Sequence, residues 1–197
     1  VADEAEAPLA VEAARVEGHD AGGFLSAMLQ GVQAEIEAAH GLLERDFAIC
    51  QTAKLDDALA LNQKLEARQF RLSRFRPYPT QQGFQVAAIW IKDSAPGDVF
   101  VGSADEVNRH FSTQREAGFV PVDLAGFMTL TDAAPKYVLV SAKLNVADGA
   151  ARKLVLDYVA KGEVEYLQQL KVRPLTFQRF QHPDGKQRSV LIVSPQE

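Results

Sequence analysis

A single cysteine, Cys50, stands among 197 residues. No internal disulfide can close and no cysteine-based metal cluster can assemble. No apolar run reaches the roughly 18–20 residues that a helical bilayer span needs, and no stretch reads as a signal peptide. Positive charge is not in surplus. Twenty-one Lys and Arg face 26 Asp and Glu for a net charge of -5, which disfavours a general nucleic-acid binder, because neutralising phosphates takes excess Lys and Arg. The common catalytic signatures are also missing. No serine has a lysine three residues on, and there is no G-x-S-x-G elbow, P-loop or H-E-x-x-H pattern. His19, His40, His110 and His182 are far apart and show no ligand spacing. Each reads as a surface or capping residue, and Cys50 as a small buried hydrophobe. Glu163 and Glu165, either side of Val164, do not suggest a tuned acid–base pair. The expectation is no cofactor, no metal and no catalytic residue.

What is present suits a packed core. Hydrophobic residues make up 47% and charged residues 24%, ordinary values for a globular protein, and the length fits one domain, or one domain with a helical extension. The chain begins at Val1 rather than Met, as expected of a processed product or a fragment that has lost a targeting segment. Residues 1–23 read as a flexible acidic lead-in ending at Ala21–Gly22–Gly23. Residues 24–54 read as an N-terminal helical segment. From Phe24 to Phe47 the residues Leu25, Met28, Leu29, Val32, Ile36, Ala39 and Leu43 recur at spacings of three and four, forming one apolar stripe. That stripe packs on the rest of the chain or, in the alternative, on a second copy as a homodimer seam. A further helix is expected from Leu55 to Arg68, its first turn carrying Asp56 and Asp57.

From residue 55 to 197 the chain reads as one unit written three times, over about 55–95, 103–143 and 150–195. Phe75–Pro77 (FRP) returns as Phe119–Pro121 (FVP) and as Val172–Pro174 (VRP), each leading toward an apolar strand, VAAIWI, YVLV or VLIV. Setting Phe119 against Val172 aligns Pro121 with Pro174, Phe127 with Phe180, and the turn Thr131–Asp132 with Asp184–Gly185, without a gap. Tyr137–Val140 then falls on Val190–Val193. The first copy, anchored at Phe75, needs an insertion of about two residues to join the alignment. The unit reads as helix, tight turn, strand, hairpin, strand. In the second copy Ser103 and Glu106 form a capping box and Gly118 ends the helix. In the third, a helix over about 150–170 with a break near Gly162 is expected. Proline in the first strand of each unit marks an edge or an irregular start. The fold expectation is α+β: N-terminal helices, then three helix–β-hairpin repeats forming one curved antiparallel sheet or a partial barrel.

The segments GFVPVDLAGF at Gly118–Phe127, RFRPYPTQQGF at Arg74–Phe84 and AAIWIKD at Ala87–Asp93 resemble a bacterial tandem-repeat domain. That domain occurs beside β-lactamase-like serine hydrolases such as fungal polyglycine hydrolases. The resemblance covers about residues 60–197. Val120 stands where the family usually has Arg, and Val172 where it usually has an aromatic. It implies a repeat-built accessory module with no catalysis of its own, in an extracytoplasmic setting, and nothing for residues 1–50.

Two groups stand out as binding residues. Arg71, Arg74 and Arg76 alternate with apolar residues beside Tyr78, and Arg173 and Arg179 come from the third copy. Arginine offers a planar fork of donors to an anion or carboxylate; the bland alternative is a charged edge strand that resists pairing. Trp90, with Phe84 and Tyr137, is either core or a stacking platform. The functional expectation is a non-catalytic binding or sensor module for a protein, peptide or glycan partner. The alternatives are a hydrolase using Arg76, His110 and Asp123, and a protein that assembles through the Phe24–Phe47 helix.

Overall fold

The computed structural model describes residues 30–81, 83–128, 134–159, 167–169, 171–182 and 184–196. The acidic lead-in, the first turns of the predicted N-terminal helix, the Thr131–Asp132 turn and Gly162 fall outside them. Helix α1 covers described residues 30–38. It is followed by β1 (Leu42–Leu43), β2 (Phe47–Ala53), α2 (Leu55–Glu66), β3 (Phe70–Thr80), β4 (Gly83–Lys92), β5 (Gly97–Gly102), α3 (Ala104–Glu116), β6 (Val120–Phe127), β7 (Lys136–Ala142), a short 3-10 turn at Gly149–Ala151, β8 (Lys153–Val159), β9 (Val172–Gln181) and β10 (Gln187–Pro195).

The expected single curved sheet of helix–hairpin repeats does not form. Half of the structure is strand and 27% helical, and the strands make three small antiparallel sheets. Their orders are β1-β2-β4-β3, β5-β7-β6 and β8-β10-β9. In each sheet the strand before the helix pairs with the last strand of the hairpin after it. Sequence reading missed these opening strands. Residues 153–159, expected to be helical, are β8: Leu154 and Leu156 pack into the core at the two-residue period of a strand. Likewise helix α1 stops before Gly41. A side chain there would collide with the Ile49 carbonyl, at 2.1 Å, and with Ile36, so Leu42 and Leu43 turn into a strand that pairs with β2. Residues Val32, Ile36 and Ala39 of the predicted stripe are buried inside the chain's own core, and Lys64 of α2 reaches Glu35. Over the described part of α1 the stripe is therefore not free to form a dimer seam.

Three landmarks place the sheets in register. A residue with left-handed backbone follows each helix: Gln69 (φ 63°), Gly118 (φ 84°) and Lys171 (φ 50°). Each donates its N–H back three residues, to Glu66, Arg115 and Gln168. A one-residue bulge then falls at Ser73 in β3, Val122 in β6 and Leu175 in β9. These landmarks keep the Phe119–Val172 alignment of the second and third units, but they move the first. Phe70, not Phe75, is the counterpart of Phe119, and Tyr78 is the counterpart of Phe127 and Phe180. The second strands slip by one residue from the gap-free alignment, so that Val138 and Val140 correspond to Val190 and Ile192. With a period of two, that slip decides which face each side chain occupies.

The capping box forms: the Ser103 side chain accepts from Glu106 N–H, and Glu106 accepts from Ser103 N–H. In α2, Ala58, Leu61, Asn62 and Leu65 are buried. Asn62 is the polar exception and is satisfied, accepting from Trp90 Nε1 at 2.9 Å and donating to Glu66 at 3.0 Å.

The sheets stack in chain order. Strand β3 packs on β6, β7 and β5, and β6 packs in the same way on β9, β10 and β8. One core holds α1, α2, the inner face of the first sheet, and Ala125, Phe127, Val138 and Val140 of the second. The other holds Val107 of α3, the opposite face of the second sheet through Leu124, Tyr137 and Leu139, and Phe180, Val190 and Ile192 of the third.

Candidate functional site

The hairpin ends of all three units open onto one cleft of about 810 Å³, within the size range of ligand sites. Its walls carry Tyr78, Phe127 and Phe180, the three side chains that occupy one register position in β3, β6 and β9. Pro77, Pro79, Phe84 and Met128 extend the apolar lining, and Gln178, Gln181, Arg179 and His182 supply polar groups.

Each ring has a fixed seat. Phe84 packs on Phe127 with centroids 5.6 Å apart, and Tyr137 meets Phe180 edge-on at 6.1 Å. Phe180 lies against the backbone of Gly126, where a Cβ would come within 2.5 Å of the ring. The Gly126 N–H donates to Gln178 Oε1 at 3.0 Å. Tyr78 donates its hydroxyl to the Gln51 carbonyl at 2.5 Å. His182 Nδ1 sits 2.9 Å from Asp184. The Asp184 carboxyl is held down at about 2, first by the Lys186 N–H and then by Arg188 and His182.

Of the residues singled out from sequence, Tyr78, Phe84 and Arg179 line the cleft; Arg179 also lies over the Phe177 ring at 5.4 Å. The others are placed elsewhere. Trp90 is fully buried in the first core. Arg71 is buried and donates to Asp93 at 2.6 and 3.0 Å. That contact, after the Ala95 N–H, holds the Asp93 carboxyl below its ordinary value. Arg173 is exposed and pairs with Asp148.

Arg74 and Arg76 reach over the free edge of β3 to Asp123, which is fully buried. Arg76 donates two bonds to this carboxylate, Arg74 donates one at 3.2 Å, and the Phe75 N–H donates another at 2.9 Å. The cluster joins the first two sheets, and its carboxylate is saturated with donors.

His110 stands apart from that pair. Its Nε2 lies 2.6 Å from Asp98, and its ring stacks on Phe100 at 4.2 Å. Phe100 belongs with the core on the α3 side of the second sheet, whereas Ala125 and Phe127, which share Asp123's face of β6 at a spacing of two residues, face the other core. The sheet separates His110 from Asp123, so the triad Arg76, His110 and Asp123 does not converge. Burial pushes the Cys50 thiol up. Among the described residues no group of three His, Cys, Asp or Glu could hold a metal ion, and no described helix is long and apolar enough to cross a membrane.

Sequence reasoning missed Phe180, Met128, Pro77, Pro79, Gln178, Gln181 and His182 as one site. The signal was present. Phe127 already aligned with Phe180, and setting the first copy by Gln69 instead of Phe75 would have added Tyr78 to the set.

No protein-family model matches the chain, and no curated protein matches it.

Proposed function

We propose that this chain is a non-catalytic recognition module, an accessory part of a larger bacterial protein, whose cleft takes an apolar segment of a partner polypeptide. The observation that supports this most is the convergence of Tyr78, Phe127 and Phe180 with Phe84, Pro77 and Pro79 in one concave site. Rigid aromatic and proline walls bind apolar side chains at little conformational cost, and amides at the rim suit a peptide backbone. The resemblance to a bacterial tandem-repeat module points the same way. Among the described residues of the cleft, no carboxylate, nucleophile and base are brought together as an enzyme reading would require.

The test is an array of short peptides, with a glycan array alongside, followed by amide chemical-shift mapping of the hits. A supporting result is a peptide that shifts Gly126, Phe127 and Gln178 and binds Phe84→Ala at least about tenfold more weakly. Hits only among glycans, or a peptide whose affinity ignores Phe84→Ala, would overturn the reading. Trp90 fluorescence is not a suitable readout, because its indole is sealed in the core against Asn62.

A further inference from the structure

The stacked sheets leave two ends, and the exposed apolar residues collect there. Ile89 pairs with Arg74 just past the β3 bulge, as Val140 does with Asp123 and Ile192 with Thr176. These are one position in three sheets. Val140 and Ile192, each covered by the preceding sheet, are 1% and 0% exposed, whereas Ile89 is 41% exposed. Phe47, paired with Ile91, and Leu42, paired with Ile49, lie on the same outer face of the first sheet and are also exposed.

The opposite face behaves in mirror fashion. Phe75, Leu124 and Phe177 are one position, opposite Ala88, Leu139 and Leu191. Phe75 and Leu124 are 1% and 0% exposed where the following sheet covers them, and Phe177 in the last sheet is 43% exposed. Leu42, Phe47, Ile89 and Phe177 are the exposed large hydrophobic residues of the described chain. Three are at the head of the stack and one is at its tail.

The molecule therefore makes the same joint twice and leaves one exposed position of it at each end, Ile89 at the head and Phe177 at the tail, while Leu191 opposite Phe177 is buried at 2% exposure. At the first joint Phe75 and Val140 share a core; at the second, Leu124 and Ile192 do. We propose that a second copy of this chain completes the series: Phe177 of one copy seats on the Leu42, Phe47 and Ile89 face of the next. The contact is heterologous, head to tail, and continues an interface that the fold already uses. It involves none of the cleft residues that carry the functional reading and stands independently of it.

Light scattering after size exclusion, at chain concentrations up to about 1 mM, tests this on the full chain. The wild type is expected to rise above single-chain mass with concentration. Ile89→Lys and Phe177→Asp, both at exposed positions, should each return it to single-chain mass with an unchanged circular-dichroism spectrum. Mixing the two variants should then restore a 1:1 pair, because each keeps one intact end. A wild type that stays at single-chain mass overturns the proposal. So does a mixture that fails to pair. Persistent self-association of Phe177→Asp alone would instead mean head-to-head contact, and would also overturn it.

Discussion

The joint between the first and second sheets and the joint between the second and third are built on one register, yet different chemistry closes them. At the first, the position just past the β6 bulge is Asp123, and its carboxylate takes the Phe75 N–H and two arginines from across β3. At the second, the equivalent position is Thr176, whose hydroxyl accepts the Ile192 N–H within its own sheet. The crossing there is made by Phe180 lying on Gly126, with Gln178 capping the Gly126 N–H. Both joints meet the same requirement, because the N–H groups along the outer edge of a strand need partners once another layer covers them. An ionised side chain answers it at one joint. A neutral amide and a missing side chain answer it at the other.

If that contrast holds, the charged joint is the more vulnerable to loss of one partner. Arg74→Ala with Arg76→Ala would strand the Asp123 carboxylate in a fully buried position and should cost about 3–5 kcal/mol in chemical denaturation. Adding Asp123→Asn should recover part of that loss, since an amide oxygen can still accept from Phe75. Gly126→Ala should cost about 2 kcal/mol, because the Phe180 ring must yield to a Cβ within 2.5 Å of it; the same change should narrow the cleft. Gln178→Ala leaves the Gly126 N–H without its partner and should cost about 1 kcal/mol.

Acid provides a separate probe of the third sheet. Asp184, in the turn between β9 and β10, has its carboxyl lowered from 3.8 to about 2. A lowered folded-state value means that the unfolded chain takes up the proton first as pH falls. The contribution is then complete above about pH 4 and is lost as pH drops toward 2. Asp184→Asn should flatten the melting temperature against pH in that window. An unaltered slope would count against the contact. Smallest of all, Gln69→Gly should raise stability by up to about 1 kcal/mol, because Gln69 holds the left-handed conformation (φ 63°) that Gly118 occupies in the second unit.

Much of the local structure was legible. Ser103 and Glu106 announced a capping box, Gly118 a helix stop, and Asp184–Gly185 the turn between β9 and β10, because each rests on neighbours in the chain. The alignment of Pro121 with Pro174 was legible for the same reason. Aligning copy one on the proline of its FRP phrase puts it out of register, because Pro77 does not occupy the position of Pro121 and Pro174. Pro77 lies inside β3, paired with Val86 and lining the cleft, whereas Pro121 and Pro174 each stand next to a bulge. The true landmark, Gln69, is not a glycine, so nothing in its identity advertised a positive φ. The opening strands β2, β5 and β8 were missed because each pairs with a strand beyond the helix that follows it. Short apolar runs do not declare partners that far away.

The cleft shows the division most clearly. Sequence by itself determined the aromatic residues at the strand ends, the helix caps and the turns, since these depend on backbone preferences over a few residues. Only the tertiary structure decided that Arg71, Arg74 and Arg76 would turn to Asp93 and Asp123 instead of a ligand. It also decided that Trp90 would be sealed in the core, and that Tyr78, Phe127 and Phe180 would meet. The physical reason is that a side chain's partner is set by which sheet lands on which face. That outcome rests on burying the apolar faces of three sheets together, a sum over distant residues that no local pattern encodes.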